Sequence, residues 1–177
     1  MQVSTISVAK RVGKFTEHTN PKVKARIKVE WDKSVDKVTL KDNAGRVYLL
    51  CVNGVVMKIG GSQCEGGIKS TMGFYCGGTT GRPSIRTFGI NQYVWDEIQA
   101  GNEVEIYMIN SKRVPAPVQG LYDIETMDVA AFKEMESKCV SDYVTMEGKN
   151  PAWNMQESAE AWPTYIQEAH RELLKSK

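Results

Sequence analysis

Val47-Tyr48-Leu49-Leu50-Cys51-Val52-Asn53-Gly54-Val55-Val56-Met57-Lys58-Ile59-Gly60 decides the fold. Two apolar runs flank Asn53-Gly54. Both central positions of a type I′ turn need φ > 0, which Asn and Gly tolerate, so the stretch reads as strand, two-residue turn, strand. Val47-Tyr48-Leu49 then faces Lys58-Ile59-Gly60 on the neighbouring strand. Tyr48 and Lys58 have offsets that bring a phenol and an amine to one rim, a pairing that suggests polar chemistry more than packing.

Upstream, Val23, Ala25, Ile27, Val29 and Trp31 alternate with Lys24, Arg26, Lys28 and Glu30. Such alternation predicts a half-buried strand with a cationic outer face. Val38-Thr39-Leu40 is a candidate partner strand, and the first twenty residues, less patterned, read as a mobile arm. Downstream, residues 61–81 are rich in Gly, Ser and Thr and too long for a plain turn, with a short helix suggested over 68–72. Asn91 is a candidate helix cap, with the helix running to Ala100 and Gly101 stopping it. Glu103 to Met108 alternates as a third strand. Pro115 and Pro117 mark 112–120 as a loop. Phe132, Met135, Cys139 and Tyr143 recur at helical spacing, predicting a helix over 126–143. A last amphipathic segment carries Trp162, Ile166, Ala169 and Leu173 on one face.

The expected architecture is a small mixed α/β (α+β) single domain over 1–177. Its three-stranded antiparallel sheet comprises 47–52, 55–59 and 103–109, flanked by helices over 91–100 and 126–143. Residues 1–46 form a basic N-terminal β extension, 47–154 the core, and 155–177 a C-terminal helix.

Composition sets further bounds. The 177 residues suffice for one sizeable core. No apolar run is long enough for a membrane span, and Met1-Gln2-Val3-Ser4 lacks the charged start and apolar stretch of a secretory signal. A cytoplasmic setting is expected. Cys51, Cys64, Cys76 and Cys139 form no C-x-x-C pair, and His18 and His170 stand at opposite ends, so reduced thiols are expected rather than zinc or disulfides. Residues 1–46 hold eleven Lys or Arg against five Asp or Glu, a surplus of six, so the rest must carry −4 to leave the chain at +2. A basic segment on a mildly acidic body suits nucleic acid phosphate; a solvated basic strand face is the plainer alternative. Gly60-Gly61-Ser62 and Gly77-Gly78-Thr79-Thr80 suit turns or close approach of a phosphate backbone, but no G-x-x-x-x-G-K-[ST] occurs.

The hairpin with Val47-Tyr48-Leu49 and Lys58-Ile59-Gly60, a later helical Glu136, and Asn150-Pro151-Ala152-Trp153-Asn154 occur in that order. The combination resembles the GIY-YIG nucleases over about residues 46–154. Lys58 in place of the second Tyr resembles a variant among small restriction endonucleases of this family, and the closing segment resembles that of phage-encoded members. The resemblance implies a metal-dependent endonuclease acting on double-stranded DNA, in a restriction system or a phage that degrades DNA. The rival reading is a non-catalytic nucleic-acid-binding or virion-associated protein that retains the fold.

The resemblance implies roles residue by residue. Glu136 would bind Mg²⁺ or Mn²⁺, with Glu134 as the nearby competitor. Tyr48 would contact or activate the attacking water, with Lys58 as a neighbouring cation. An Arg expected about ten residues after the second motif is missing; Lys69 stands there, and Lys lacks the bidentate fork of Arg. Arg82 and Arg86 lie farther on, where a fold-back would bring them to the site. Tyr75 stands near a further active-site Tyr, with Phe74 adjacent. Asn154 would hold the site by hydrogen bonds, with Trp153 plugging the core. Outside the span of the resemblance, the cationic strand face of Lys24, Arg26 and Lys28 is the candidate DNA contact on charge and alternation alone. Cutting both strands with one site per chain favours a homodimer or two successive nicks.

Overall fold

The computed structural model describes residues 1–42, 44–155 and 160–176. Asn43 and residues 156–159, which fall in the predicted N-terminal extension and C-terminal tail, lie outside it. Seven strands and five α-helices are described: β1 Lys10–Glu17, β2 Ile27–Trp31, α1 Lys37–Lys41, β3 Arg46–Val52, β4 Val55–Ser62, α2 Gly67–Cys76, α3 Ile85–Gln99, β5 Val104–Asn110, β6 Arg113–Gln119, β7 Ile124–Ala130, α4 Phe132–Glu147 and α5 Thr164–Lys175.

The sheet is antiparallel with five strands in the order β2-β1-β5-β3-β4, rather than the three expected. The central hairpin forms as read. Asn53 and Gly54 sit at φ +48° and +79°, and Tyr48 faces Gly60 while Leu50 faces Lys58. The first twenty residues are not a free arm. β1 pairs with both β2 and β5, and Gln2 bridges to Val55. The N-terminal segment therefore completes the sheet.

Two apolar clusters cover the two faces. Tyr48, Leu50, Ile68, Met72, Tyr75, Ile90 and Val94 lie in the cluster that α2 and α3 join. Val47, Leu49, Cys51, Ile59 and Tyr143 lie in the other, under α4. A period of two along β3 sends alternate side chains to opposite faces, which is why a continuously buried strand supplies both cores.

Several boundaries differ from expectation for local reasons. Residues 37–41 form a short helix because Asp36 accepts from Thr39 N at 2.8 Å and caps it. α3 starts six residues before Asn91, at a Ser84 cap that accepts from Thr87 N. Residues 113–119, expected as loop, are a strand paired with β7, so α4 begins only at Phe132. Pro115 and Pro117 are two residues apart and share one side of a two-stranded ribbon, where missing N–H groups are tolerated when they would point outward. No helix among the described residues is long and apolar enough to cross a membrane. All four cysteines are free thiols.

The basic surplus of residues 1–46 is partly consumed inside the fold. Arg11 pairs with Asp32 at 2.8 Å, Glu103 at 2.9 Å and Glu105 at 3.3 Å, and Lys14 reaches Glu103 at 3.1 Å. The acidic β5 end thus answers the basic β1 across the ladder, and the sequence-level charge asymmetry overstates the free cationic surface.

Candidate active site

The site is built on two consecutive glycines at the end of the edge strand β4. A Cβ on Gly60 would lie 2.4 Å from Cζ and Oη of Tyr48. A Cβ on Gly61, on the opposite face, would lie 2.4 Å from Oε2 of Glu136 and 3.1 Å from the Phe132 ring. Each glycine therefore leaves room for one reactive side chain, and the phenol and carboxylate approach the same strand edge from opposite faces of the sheet.

A cleft of about 550 Å³ opens there, lined by Gly61, Arg86, Glu136, Ser137, Val140 and Ser141. A larger hollow lies beside Lys37, Lys41 and Glu65, and a smaller, more apolar one beside Leu49 and Tyr143, but neither is lined by Gly61, Arg86 or Glu136. Glu136 is half-buried while Glu134 is exposed, so α4 turns Glu136 toward the sheet edge and Glu134 toward solvent.

Tyr48 is buried, and its hydroxyl lies 2.6 Å from that of Tyr75 on α2, the rings meeting edge to face. Burial, then the adjacent Tyr75, pushes the Tyr48 phenol well above the ordinary tyrosine range; Arg86 opposes the shift. Tyr75 is also pushed up by burial, while hydrogen bonds with Tyr48 and Arg86 act to hold it down. Both phenols are therefore neutral at pH 7, and Arg86 links the pair to the cleft.

Lys58 is 2% exposed and shares the Tyr48 face of the hairpin, inside β4 rather than at a solvent-facing strand end. Tyr75, not the exposed Phe74, faces inward from α2. Lys69 does not join the site. It lies six residues before Tyr75, about 120° away around the helix, and is exposed. The position one turn before Tyr75 is Thr71, whose hydroxyl lies 2.7 Å from Ser62 Oγ. Arg86 reaches the cleft from α3; Arg82, in the preceding loop, is exposed and outside it.

The expected cationic face of residues 24–28 is divided. Lys24 is exposed, and Lys28 sits 3.6 Å from Glu30. Arg26 turns inward, donating to Asn91 Oδ1 and Gln92 Oε1, each at 2.8 Å, with its guanidinium over the Trp95 ring at 5.3 Å. Asn91 is fully buried and donates to Tyr75 O at 2.7 Å. Arg26 thus braces α3 against α2, because strand geometry begins only at Ile27 and the alternation upstream of it is not realised.

The closing segment lies along the open edge of β4. Trp153 N donates to Met57 O at 2.8 Å. Asn154 Oδ1 accepts from Ile59 N and its Nδ2 donates to Ile59 O, both at 3.0 Å. One carboxamide imitates a strand partner immediately before Gly60. Trp153 is buried and stacks on Tyr93 at 5.5 Å.

The structural parts played by four residues were not foreseen in the sequence. Gly60 and Gly61 were expected to serve turns or the close approach of a DNA backbone; the close approach is that of the Tyr48 and Glu136 side chains. Asn91 was taken for a cap. Arg46 is buried at the start of β3, donating to the carbonyls of Asp42 and Ala44 (2.6 Å for the latter), and nothing in its spacing marked it.

No protein-family model matches the sequence, and no curated protein does. The fold is similar to that of restriction endonuclease HPY188I in complex with product DNA, with TM-score 0.51 and 14% identity over 85% of this chain and 84% of that one. It is also similar to a mutant of bacteriophage T4 EndoII, with TM-score 0.53 and 13% identity over 86% of this chain and 95% of that one. At these identities the likeness is one of fold.

Among the described residues no three His, Cys, Asp or Glu side chains gather as a metal cage. A lone half-buried carboxylate does suit an ion of the Mg²⁺ type, which keeps several waters and takes one or two protein carboxylates plus substrate phosphate.

Proposed function

We propose that the chain is a GIY-YIG-like endonuclease that hydrolyses phosphodiester bonds in double-stranded DNA with Mg²⁺ or Mn²⁺. The observation that carries this reading is the convergence of Tyr48 and Glu136 on one strand edge, made possible by Gly60 and Gly61, with Arg86 on the same cleft. The nuclease-like fold supports it.

In this reading phosphate enters the cleft beside Glu136. Glu136 would hold the divalent ion, which when bound would supply neutralisation of phosphoryl charge and help for the leaving oxygen. Water attacks phosphorus as the bond to the leaving oxygen breaks. Tyr48, neutral at rest, orients that water. Arg86 and Lys58 add positive charge, which favours the water's loss of a proton to bulk solvent through the open cleft, and the leaving oxygen takes up a proton from solvent. Arg86 takes the phosphate-binding part expected of Lys69, from a different helix, and offers the planar fork that Lys lacks. Asn154 and Trp153 hold β4 and so the two glycines in register.

A second reading has one observation in its favour: α2 offers Thr71, not a cation, in the turn before Tyr75. It is a DNA-binding protein without catalysis. Incubation of the protein with supercoiled plasmid separates the two. Nicked and linear products with Mg²⁺, lost in excess EDTA, are expected. Full cleavage in EDTA overturns the metal requirement, and DNA binding with no cleavage under any divalent ion overturns the enzyme.

A further inference from the structure

The β6–β7 ribbon is a large feature that the candidate site does not use. It leaves the body after Asn110, turns at Gly120–Asp123, and returns to start α4. Its two strands pack chiefly on each other. A lone two-stranded ribbon is marginally stable in water.

Its faces differ. Val114 faces Val129, Ala116 faces Met127 and Val118 faces Glu125, so one face carries five apolar side chains with Glu125 at its tip end. Val114 is 48% exposed and Met127 50%. At the turn Leu121 and Tyr122 are 92% and 96% exposed. Lys112, one residue before β6, falls on the same face by alternation and marks its base. Lys112 and Glu125 are exposed, and among the described residues neither is in an ion pair.

We propose that this apolar face is the contact surface for a second copy of the same chain, two ribbons packing antiparallel about a two-fold axis. The charges select this occupant. In a two-fold contact residue i meets j and j meets i. Antiparallel packing sets the basic base of one ribbon on the acidic tip of the other, joining Lys112 to the partner copy's Glu125 twice. The six-residue step from Lys112 to the position opposite Glu125 spans about 20 Å, long enough for the apolar side chains to lie between the two charge pairs. Parallel packing would oppose like charges. Duplex DNA fits less well, because segment 112–130 carries Lys112 and Arg113 against Asp123, Glu125 and Asp128, an acidic excess that phosphate would repel. This inference does not depend on catalysis.

The test is sedimentation equilibrium of the full chain and its variants across about 1 to 100 µM. A concentration-dependent dimer is expected. Val118→Asp should give monomer. Because each substitution acts twice in a symmetric pair, Lys112→Glu or Glu125→Lys alone should weaken association about tenfold, and the double variant should return to within about threefold of the original. Far-ultraviolet circular dichroism checks that the body stays folded, and the charge variants keep the test valid if Val118→Asp disturbs the ribbon. A monomer at every concentration overturns the proposal. So does a dimer indifferent to all these variants, or a double variant no better than the singles. A monomer whose ribbon variants lose duplex binding assigns the face to nucleic acid instead.

Discussion

The hydroxyls of Tyr48 and Tyr75 lie 2.6 Å apart, tying the central hairpin to α2 inside the apolar core. Two phenols in such a place share one hydrogen bond and are costly to ionise. The chain therefore keeps weak acids protonated in the folded state well past the pH at which they ionise in water. Cys51 and Cys76 behave alike, pushed by burial from an ordinary 9.0 to about 12 and about 11.

Stability should consequently fall on the alkaline side. These groups have raised pKa values, so their contribution is complete below the unfolded values and is lost as pH rises through the folded ones. Above about pH 9 the unfolded chain releases protons that the folded chain retains, at about 1.4 kcal/mol per pH unit for each proton. Urea unfolding at pH 8, 9 and 10 should give steadily lower midpoints. A level midpoint over that range would remove the burial argument.

Glu136→Gln should separate chemistry from binding. Losing a metal-holding charge removes several kcal/mol of transition-state stabilisation, so cleavage should fall at least about a thousandfold. Duplex affinity should hold or rise, since a negative charge near phosphate has gone. Glu134→Gln, altering an exposed neighbour, should act like the parent. The reverse ranking of the two variants would place the carboxylate wrongly.

Arg86→Ala should slow cleavage about a hundredfold or more, and Arg86→Lys should recover only part, because a point charge replaces a fork. Lys69→Ala should change cleavage less than about threefold, within what an exposed charge contributes. Side-by-side single-turnover rates decide the matter; a severe Lys69→Ala defect beside an active Arg86→Ala would return the role to α2.

Gly60→Ala and Gly61→Ala each put a methyl against a buried or half-buried reactive side chain. Overpacking should cost about 1–3 kcal/mol in each. Their cleavage defects should exceed anything explained by that loss, since Gly60→Ala displaces Tyr48 and Gly61→Ala displaces Glu136. Rates measured well below the melting temperature test this; parent-like rates in either variant would show that the glycine does not set the site.

Legibility in the sequence followed range. The hairpin was readable because Asn53-Gly54 needs no distant partner, and the α4 stripe because a helix repeats its own period. β1 was not, because its ladder depends on β5, 96 residues away in the pairing of Arg11 with Tyr107. Pro115 and Pro117 hid β6, since a two-stranded ribbon accepts prolines that an interior strand would reject. Tyr48, Lys58 and Glu136 were nameable through resemblance to a known pattern. Arg86 was named only as a distant replacement, because its arrival in the cleft depends on how α3 docks. The inward turn of Arg26 was invisible, because its partners Asn91 and Gln92 sit on that same helix.

The pairing of Ile59 with Asn154 has a temporal consequence. The edge of β4 is closed by a residue synthesised 95 positions later, so a growing chain holds a bare strand edge until that residue emerges. The β3–β4 ladder sets the register of Gly60 and Gly61, and the outer side of β4 stays unpaired until Asn154 arrives. A product truncated before Asn154 is therefore adhesive, because an open edge recruits other strands. Chains ending at Lys149 should form aggregates whose amount rises with concentration under conditions where the full chain stays dispersed; a dispersed, cooperatively folding truncation would show that β4 needs no such closure.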